Sequence, residues 1–243
     1  TDAPMTPFRA PGWLTGIAIA AVAAVNLAGL WGIAMARQAA IGEAMEAEPD
    51  LLLISGASIT VDEADEIIAR AEAAGRQIVA SPGMMMYAHN RRMRKLVLEG
   101  ALGQLAWAIS GTTAGSGKYH LNEEFRTGED ILTSVDPTWY FKKPGGGPQY
   151  DVTVYCLHIL TGVVGPAKRV TALSGIAIPV REHLGNQIVT EMDDQTMLLL
   201  DFGGTFHALV YATVAGGLTK GFFPNLYGTE GSIVGLQFGD QNL

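Results

Sequence analysis

An α/β protein whose C-terminal part is α+β is predicted by three observations. Gly12 to Ala36 is an apolar run of helical length, Asp50 to Ala80 alternates strand, helix and strand, and one apolar helix precedes a series of short strands. The expected architecture is a single N-terminal transmembrane helix, then a partial βαβ unit, then a mostly antiparallel sheet packed on helices. Domain limits fall at residues 1–37, 38–103 and 104–243.

Composition narrows the function classes. Hydrophobic residues make up 48% of the 243-residue chain and charged residues only 16%, a low share for a wholly water-facing protein. A net charge of −8 argues against a nucleic-acid surface, and the small basic clusters Arg91–Lys95 and Lys142–Lys143 read as solvated faces. The single cysteine, Cys156, excludes an internal disulfide and lies in an apolar helix, where it reads as core.

Taken in order, Thr1 to Pro11 is a Pro-rich tail whose small first residue fits loss of an initiator Met. Gly12 to Ala36 contains no charged residue, and its only clearly polar side chains are Thr15 and Asn26. As a helix it reaches about 37 Å, against a hydrocarbon core of about 30 Å. Trp13 and Trp31 sit near its ends, Arg9 and Arg37 flank it, and glycines and alanines give it faces for close packing. A transmembrane helix is therefore expected here. A secretory signal is disfavoured by the length of the run, and a buried nucleotide-binding strand and helix by the lack of a G-x-G-x-x-G turn anywhere in the sequence.

Gln38 to Glu48 reads as an acidic linker helix. Asp50 to Ile54 is a buried parallel strand. Thr60 to Ala74 is its crossover helix, with Thr60 as the cap, Asp62 and Glu63 in the first turn, and Ile67, Ile68 and Ala71 facing inward. Gly75 stops it and Gln77 to Ala80 is the return strand. Leu105 to Ser110 is the next strand. Thr112 to Lys118 (T-T-A-G-S-G-K) imitates a phosphate loop, but Thr112 and Tyr119 occupy positions that need Gly and Ser/Thr, so it reads as a plain loop running into a polar segment to Thr133.

Pro144 to Val170 is the part most suggestive of chemistry. Three glycines between prolines form a turn, and an apolar helix ends at Gly165–Pro166. Val152, Tyr155, Ile159 and Val163 recur at helical spacing. Asp151 opens this helix, where a carboxylate suits the free N–H groups, and Asp151, Tyr155 and His158 share one face. Strands follow at Arg169–Ile178, at Gln195–Phe202 and Thr205–Val214 as a hairpin around Gly203–Gly204, and at Phe222–Tyr227 and Ser232–Leu236.

Four stretches in this order resemble the Gfo/Idh/MocA oxidoreductases. They are Asn90-Arg91-Arg92 with Leu96 through Gly103, then Asp136-Pro137-Thr138-Trp139-Tyr140, the Gly-rich loop with Asp151 and Tyr155, and Tyr227-Gly228-Thr229-Glu230-Gly231. The resemblance runs from about Asp50 to the end. It implies that the βαβ unit is the second half of that family's Rossmann domain, with the first half replaced by the hydrophobic helix and a shortened C-terminus. It further implies that the late sheet packs on the central helix and forms the oligomer interface. Asp151 and Tyr155 match the family's functional pair, and His158 stands by as a base. Where the family carries Glu-Lys-Pro, whose lysine contacts the cofactor, this chain reads Ala80-Ser81-Pro82.

The expectation is a non-catalytic, membrane-anchored accessory or structural subunit of a larger membrane complex, photosynthetic or respiratory. Its partners are integral membrane subunits and, through residues 12–36, the lipid bilayer. Arg9 and Arg37 balance, so only the α-amino group places the extrinsic domain on the outer, periplasmic side. No cofactor is expected. The alternative is an NAD(P)-dependent oxidoreductase acting on a sugar or polyol, its cofactor half-site supplied by another chain; a sugar-binding module is the third reading. Taken singly, Asp151 fits a helix cap, Tyr155 an amphipathic core residue and His158 a satisfied structural histidine. No metal site is expected, because the five histidines are scattered and Glu191 to Asp194 lacks a ligand at metal spacing.

Overall fold

The computed structural model describes residues 51–54, 60–80, 83–113, 119–125, 136–216 and 222–243. The predicted transmembrane run, the acidic linker, Ser81 and Pro82 lie outside the described residues. Among the described residues, no helix is long and apolar enough to cross a membrane. The chain divides into two compact units, one comprising Thr1–Ser81 with Asp130–Thr133 and the other Pro82–Glu129 with Ser134–Leu243.

In the first unit, β1 (Leu51–Ile54) pairs in parallel with β2 (Gln77–Ala80), Leu51 opposite Gln77. Helix α1 (Val61–Ala73) connects them, as a parallel pair requires a crossover. Its start is a capping box: the Glu63 N–H donates to Thr60 Oγ1 at 3.2 Å and the Thr60 N–H donates to Glu63 Oε2 at 3.1 Å. Ile67 and Ala71 are buried as expected, whereas Ile68 is exposed. The helical step turns Ile68 about 100° from Ile67, which carries it off the narrow inward stripe.

The second unit is built on one eight-stranded sheet in the order β12-β11-β10-β9-β3-β8-β7-β4. Its strands are β3 (Leu105–Thr113), β4 (Arg169–Gly175), β7 (Gln195–Asp201), β8 (His207–Thr213), β9 (Asn225–Gly228), β10 (Ser232–Val234), β11 (Gln237–Phe238) and β12 (Gln241–Asn242). Only β3 and β8 run parallel; the other neighbours are antiparallel. Alternation along β8 sends Ala208, Val210 and Ala212 inward. Helices α2 (Ala88–Leu98) and α4 (Thr153–Val164) contribute to the same core through Met93 and Leu96, and through Cys156, Ile159, Leu160 and Val163. Burial pushes the Cys156 thiol up to about 11.

Two of the stretches noted in the sequence meet in space. The turn after β9 clamps onto residues 102–104: the Thr229 and Glu230 N–H groups donate to Gln104 O and Leu102 O at 3.0 Å each, and the Gln104 N–H returns a bond to Thr229 Oγ1 at 3.0 Å. A Cβ on Gly228 would collide with the Leu102 carbonyl, which is why glycine opens that turn.

Several boundaries depart from expectation. β3 continues to Thr113, with Thr112 paired to Ala212 and buried, so the phosphate-loop lookalike begins inside a strand. β4 ends at Gly175 because the Asp194 carboxylate takes the N–H groups of Ala177 and Ile178, each at 2.9 Å, and draws the chain out of the sheet. A separate hairpin, β5 (Val180–His183) with β6 (Asn186–Val189), was not predicted. It borders a second core of Tyr119, Phe141, Met192 and Val214.

The predicted central helix is in fact two. A short helix α3 (Pro148–Asp151) precedes α4, and Val152 at φ −118° breaks them apart. The buried Thr153 hydroxyl donates to Pro148 O at 2.8 Å, and the Val152 N–H donates to the same carbonyl at 3.1 Å. A side-chain hydroxyl competing for a helical carbonyl bends the ladder at that point.

Candidate functional site

Asp151 ends α3 instead of opening the long helix, and its carboxylate is engaged by residues 119 and 120. The Tyr119 hydroxyl donates to Asp151 Oδ2 at 2.5 Å, and His120 Nε2 lies 3.3 Å from the same oxygen. His120 Nδ1 is 2.8 Å from Glu123 Oε2. Each ring nitrogen thus faces a carboxylate oxygen, and only the doubly protonated ring donates to both. The ring lies flat on Tyr140, with centroids 3.4 Å apart and planes 2° from parallel, and Tyr140 stacks in turn on Trp139 at 4.2 Å.

Local structure places these groups. Tyr119 is buried in the second core, and His120 adopts the left-handed backbone at φ 49°, which turns its side chain toward Asp151. Tyr140 and Trp139 ride on a 3-10 turn (Pro137–Phe141) capped by the Asp136 carboxylate, which accepts the Thr138 N–H at 2.9 Å. The Gly-rich loop fits beneath them because the Gly147 N–H donates to Tyr140 O at 2.9 Å and a Cβ there would press on Asp193 O. The side chains of His120, Glu123 and Asp151 remain 27%, 27% and 26% exposed, so the cluster is reachable from solvent. Burial, reinforced by the Asp151 charge, drives the Tyr119 phenol far above its ordinary pKa and keeps it a proton donor.

The other predicted site residues go elsewhere. Tyr155 stacks on Phe222 with centroids 4.9 Å apart, and it packs against the main core. His158 Nδ1 accepts the Met84 N–H at 3.3 Å, which fixes the neutral ring's proton on Nε2. No hydrogen bond joins any two of Asp151, Tyr155 and His158. Asp151 ends α3 while Tyr155 and His158 lie on α4, so the single helix expected to carry all three is interrupted at Val152. Tyr119, His120 and Glu123 were missed. The dipeptide Tyr119-His120 with Glu123 three residues on was the available signal, and it sat in a stretch read as polar loop.

A fully buried ion pair lies behind the hairpin β5–β6. Arg181 Nη2 is 3.0 Å from Asp194 Oδ2, with side-chain exposures of 1% and 0%. Beside it, His183 Nε2 contacts Glu123 O at 2.8 Å, so the hairpin also holds the loop that carries His120. Among the described residues no group of three His, Cys, Asp or Glu side chains is arranged to hold a metal ion.

The sequence contains no G-x-G-x-x-G turn, and serine stands at position 81.

The family model for the GFO/IDH/MocA C-terminal domain matches residues 90–234. No curated protein sequence matches the chain. Among solved structures it is similar to an NAD binding oxidoreductase from Klebsiella pneumoniae (18% identity, TM-score 0.65, covering 81% of this chain and 50% of that one). It is also similar to a super-repressor mutant of Gal80p from Saccharomyces cerevisiae (16% identity, TM-score 0.66, 81% and 53%). A third is levoglucosan dehydrogenase in complex with NADH and L-sorbose (20% identity, TM-score 0.60, 81% and 50%). The chain therefore spans about half the length of these structures. At such identities the likeness is one of fold.

Proposed function

The chain belongs to the Gfo/Idh/MocA family through its C-terminal domain, and from that premise we propose that it is a non-catalytic accessory or structural subunit. In this reading residues 12–36 hold it to a lipid bilayer, and it stabilises a larger assembly of integral membrane proteins, photosynthetic or respiratory. One observation supports the non-catalytic part: each of the three family-position side chains is engaged by a different partner, with no hydrogen bond between any two of them. Tyr155 is spent on packing, His158 on the Met84 amide, and Asp151 on Tyr119 and His120. Serine at the lysine position supports the same reading. The charge-free run supports the anchor. Exposed Trp107, Leu173, Met197 and Leu199 on the sheet give it apolar surface for contact with other proteins.

Gentle solubilisation of native membranes, followed by native electrophoresis and mass spectrometry of the band carrying this chain, tests the proposal. Fixed-stoichiometry co-migration with a large membrane complex is expected. Migration alone, together with micromolar NAD(P) binding by the purified chain, overturns it.

A second reading is favoured by the solvent-reachable Asp151 carboxylate beside an aromatic stack, a combination suited to a polyhydroxy ligand. Under it, the chain is the substrate half of an NAD(P)-dependent oxidoreductase for a sugar or polyol, with the cofactor half-site supplied from elsewhere. Asp151 and His120 then bind the hydroxyls of the ligand. Asp151→Asn abolishes turnover under this reading and leaves complex assembly intact under the first.

A further inference from the structure

The chain has a net charge of −8, yet one helix gathers cations. From Gly83 to Leu98 the sequence contains Arg91, Arg92, Arg94 and Lys95 and no Asp or Glu. All four cations lie on α2, and all four are exposed. Helical spacing puts Arg91, Arg94, Lys95 and Leu98 on one side, with Tyr87 one turn ahead of Arg91 and Arg92 on the flank. The opposite side, with Asn90, Met93 and Leu96, is buried. Large apolar side chains stand in water among the cations: Met86 is 78% exposed, Leu98 71%, and Tyr87 is exposed beside them. The Arg91 Nη1 group donates to Met86 O at 2.8 Å, and Arg94 Nη1 donates to Gly162 O at 2.5 Å, which leaves each guanidinium further N–H donors. Lys95 Nζ is 3.5 Å from Glu99 Oε1, where the helix ends.

We propose that this face of α2 lies on a membrane surface rich in anionic lipid, with the four cations on lipid phosphates and Met86, Tyr87 and Leu98 at headgroup depth. Cations alone make a solvated helix face. Cations interleaved with exposed apolar side chains make an interfacial one. Arginine matches phosphate oxygens with paired N–H donors, and tyrosine suits the boundary between water and acyl chains. Charge complementarity also sets the orientation. An anionic surface attracts α2 and repels the acidic remainder of the chain, so the domain settles with this face down. A nucleic acid fits less well, because its phosphates would leave the three apolar side chains unmatched and would repel a chain of this net charge. Nothing in this docking requires the run at residues 12–36 or a catalytic Asp151.

The test uses the full chain with Leu98→Cys carrying an environment-sensitive fluorophore; Cys156 is fully buried and stays out of the labelling. The labelled chain is transferred from mild detergent to vesicles of phosphatidylcholine alone or of phosphatidylcholine mixed with phosphatidylglycerol. Emission is expected to move to the blue on the mixed vesicles only, and to return at high salt. Arg92→Gln with Lys95→Gln, at exposed positions that leave the circular dichroism spectrum unchanged, is expected to weaken docking about fivefold for each charge removed. Equal emission on both vesicles, a blue shift that salt leaves in place, or full docking by the double variant overturns the proposal. Flotation of the same samples reads the anchor separately. A chain that floats with both vesicles and shows no lipid-dependent shift overturns the α2 docking and leaves the anchor standing. A chain that floats only with the mixed vesicles supports the docking and overturns the anchor.

Discussion

Two carboxylates anchor the second core, and their surroundings differ sharply. Asp194 is closed off from water with Arg181 and carries two backbone N–H groups besides, whereas Asp151 meets His120 and Tyr119 at the rim. The first arrangement has no room for a ligand and holds the hairpin β5–β6 to the sheet. The second leaves a quarter of the Asp151 side chain open. Sequence alone ranks them the other way in clarity, since Asp151 stands in a recognisable Gly-rich stretch and Asp194 in an unremarkable acidic run. What the comparison teaches is that burial with complete pairing marks a structural carboxylate, and pairing with residual exposure marks one that can still do chemistry.

The largest expected effect is at the closed pair. Asp194→Ala strands the Arg181 guanidinium and the two amides, and should cost about 3–5 kcal/mol in a urea melt. The same variant should speed labelling of Cys156, whose buried thiol is protonated at neutral pH and reacts only on opening. If Asp194→Ala melts like the parent, the pair is not what holds the hairpin.

Tyr119→Phe comes next, with a loss of about 1 kcal/mol for one buried hydrogen bond. Its signature is alkaline. The folded phenol keeps its proton beyond the pH at which an unfolded tyrosine, near 10, ionises. Its stabilisation is therefore complete below about pH 10 and is lost as the pH rises above it. The variant should show a flatter alkaline limb in Tm against pH than the parent.

Asp151→Asn should be the mildest, below about 1 kcal/mol, because its contacts with His120 and Tyr119 are partly solvated and an amide oxygen can still accept. Its thermal melt should barely move. Any large change in a sugar- or polyol-dependent readout would then belong to the site and not to the fold.

Much of the architecture was legible. The βαβ unit announced itself through Thr60 and Glu63, three residues apart as a capping box demands, and the β7–β8 hairpin through Gly203–Gly204. The Asp151 cluster was legible only at Asp151. Its partners Tyr119 and His120 are more than thirty residues away in the chain, and no periodicity reports a contact at that separation. The inward position of Ile68 and the single helix from Asp151 to Val163 were misread for one reason: a stripe drawn at helical spacing assumes an unbroken helix and a core wide enough to cover it.

By itself, the sequence determined the elements whose causes are local: caps, glycine turns, alternating strands, and the charge-free run at residues 12–36 as an expectation. Tertiary structure alone decided which carboxylate was sealed and which stayed open. It also decided that Tyr155 stacks on Phe222, that His158 accepts the Met84 amide, and that β4 stands at the edge of the sheet. The physical reason is that propensity and capping act within a few residues, while desolvation and pairing depend on what the rest of the chain brings alongside.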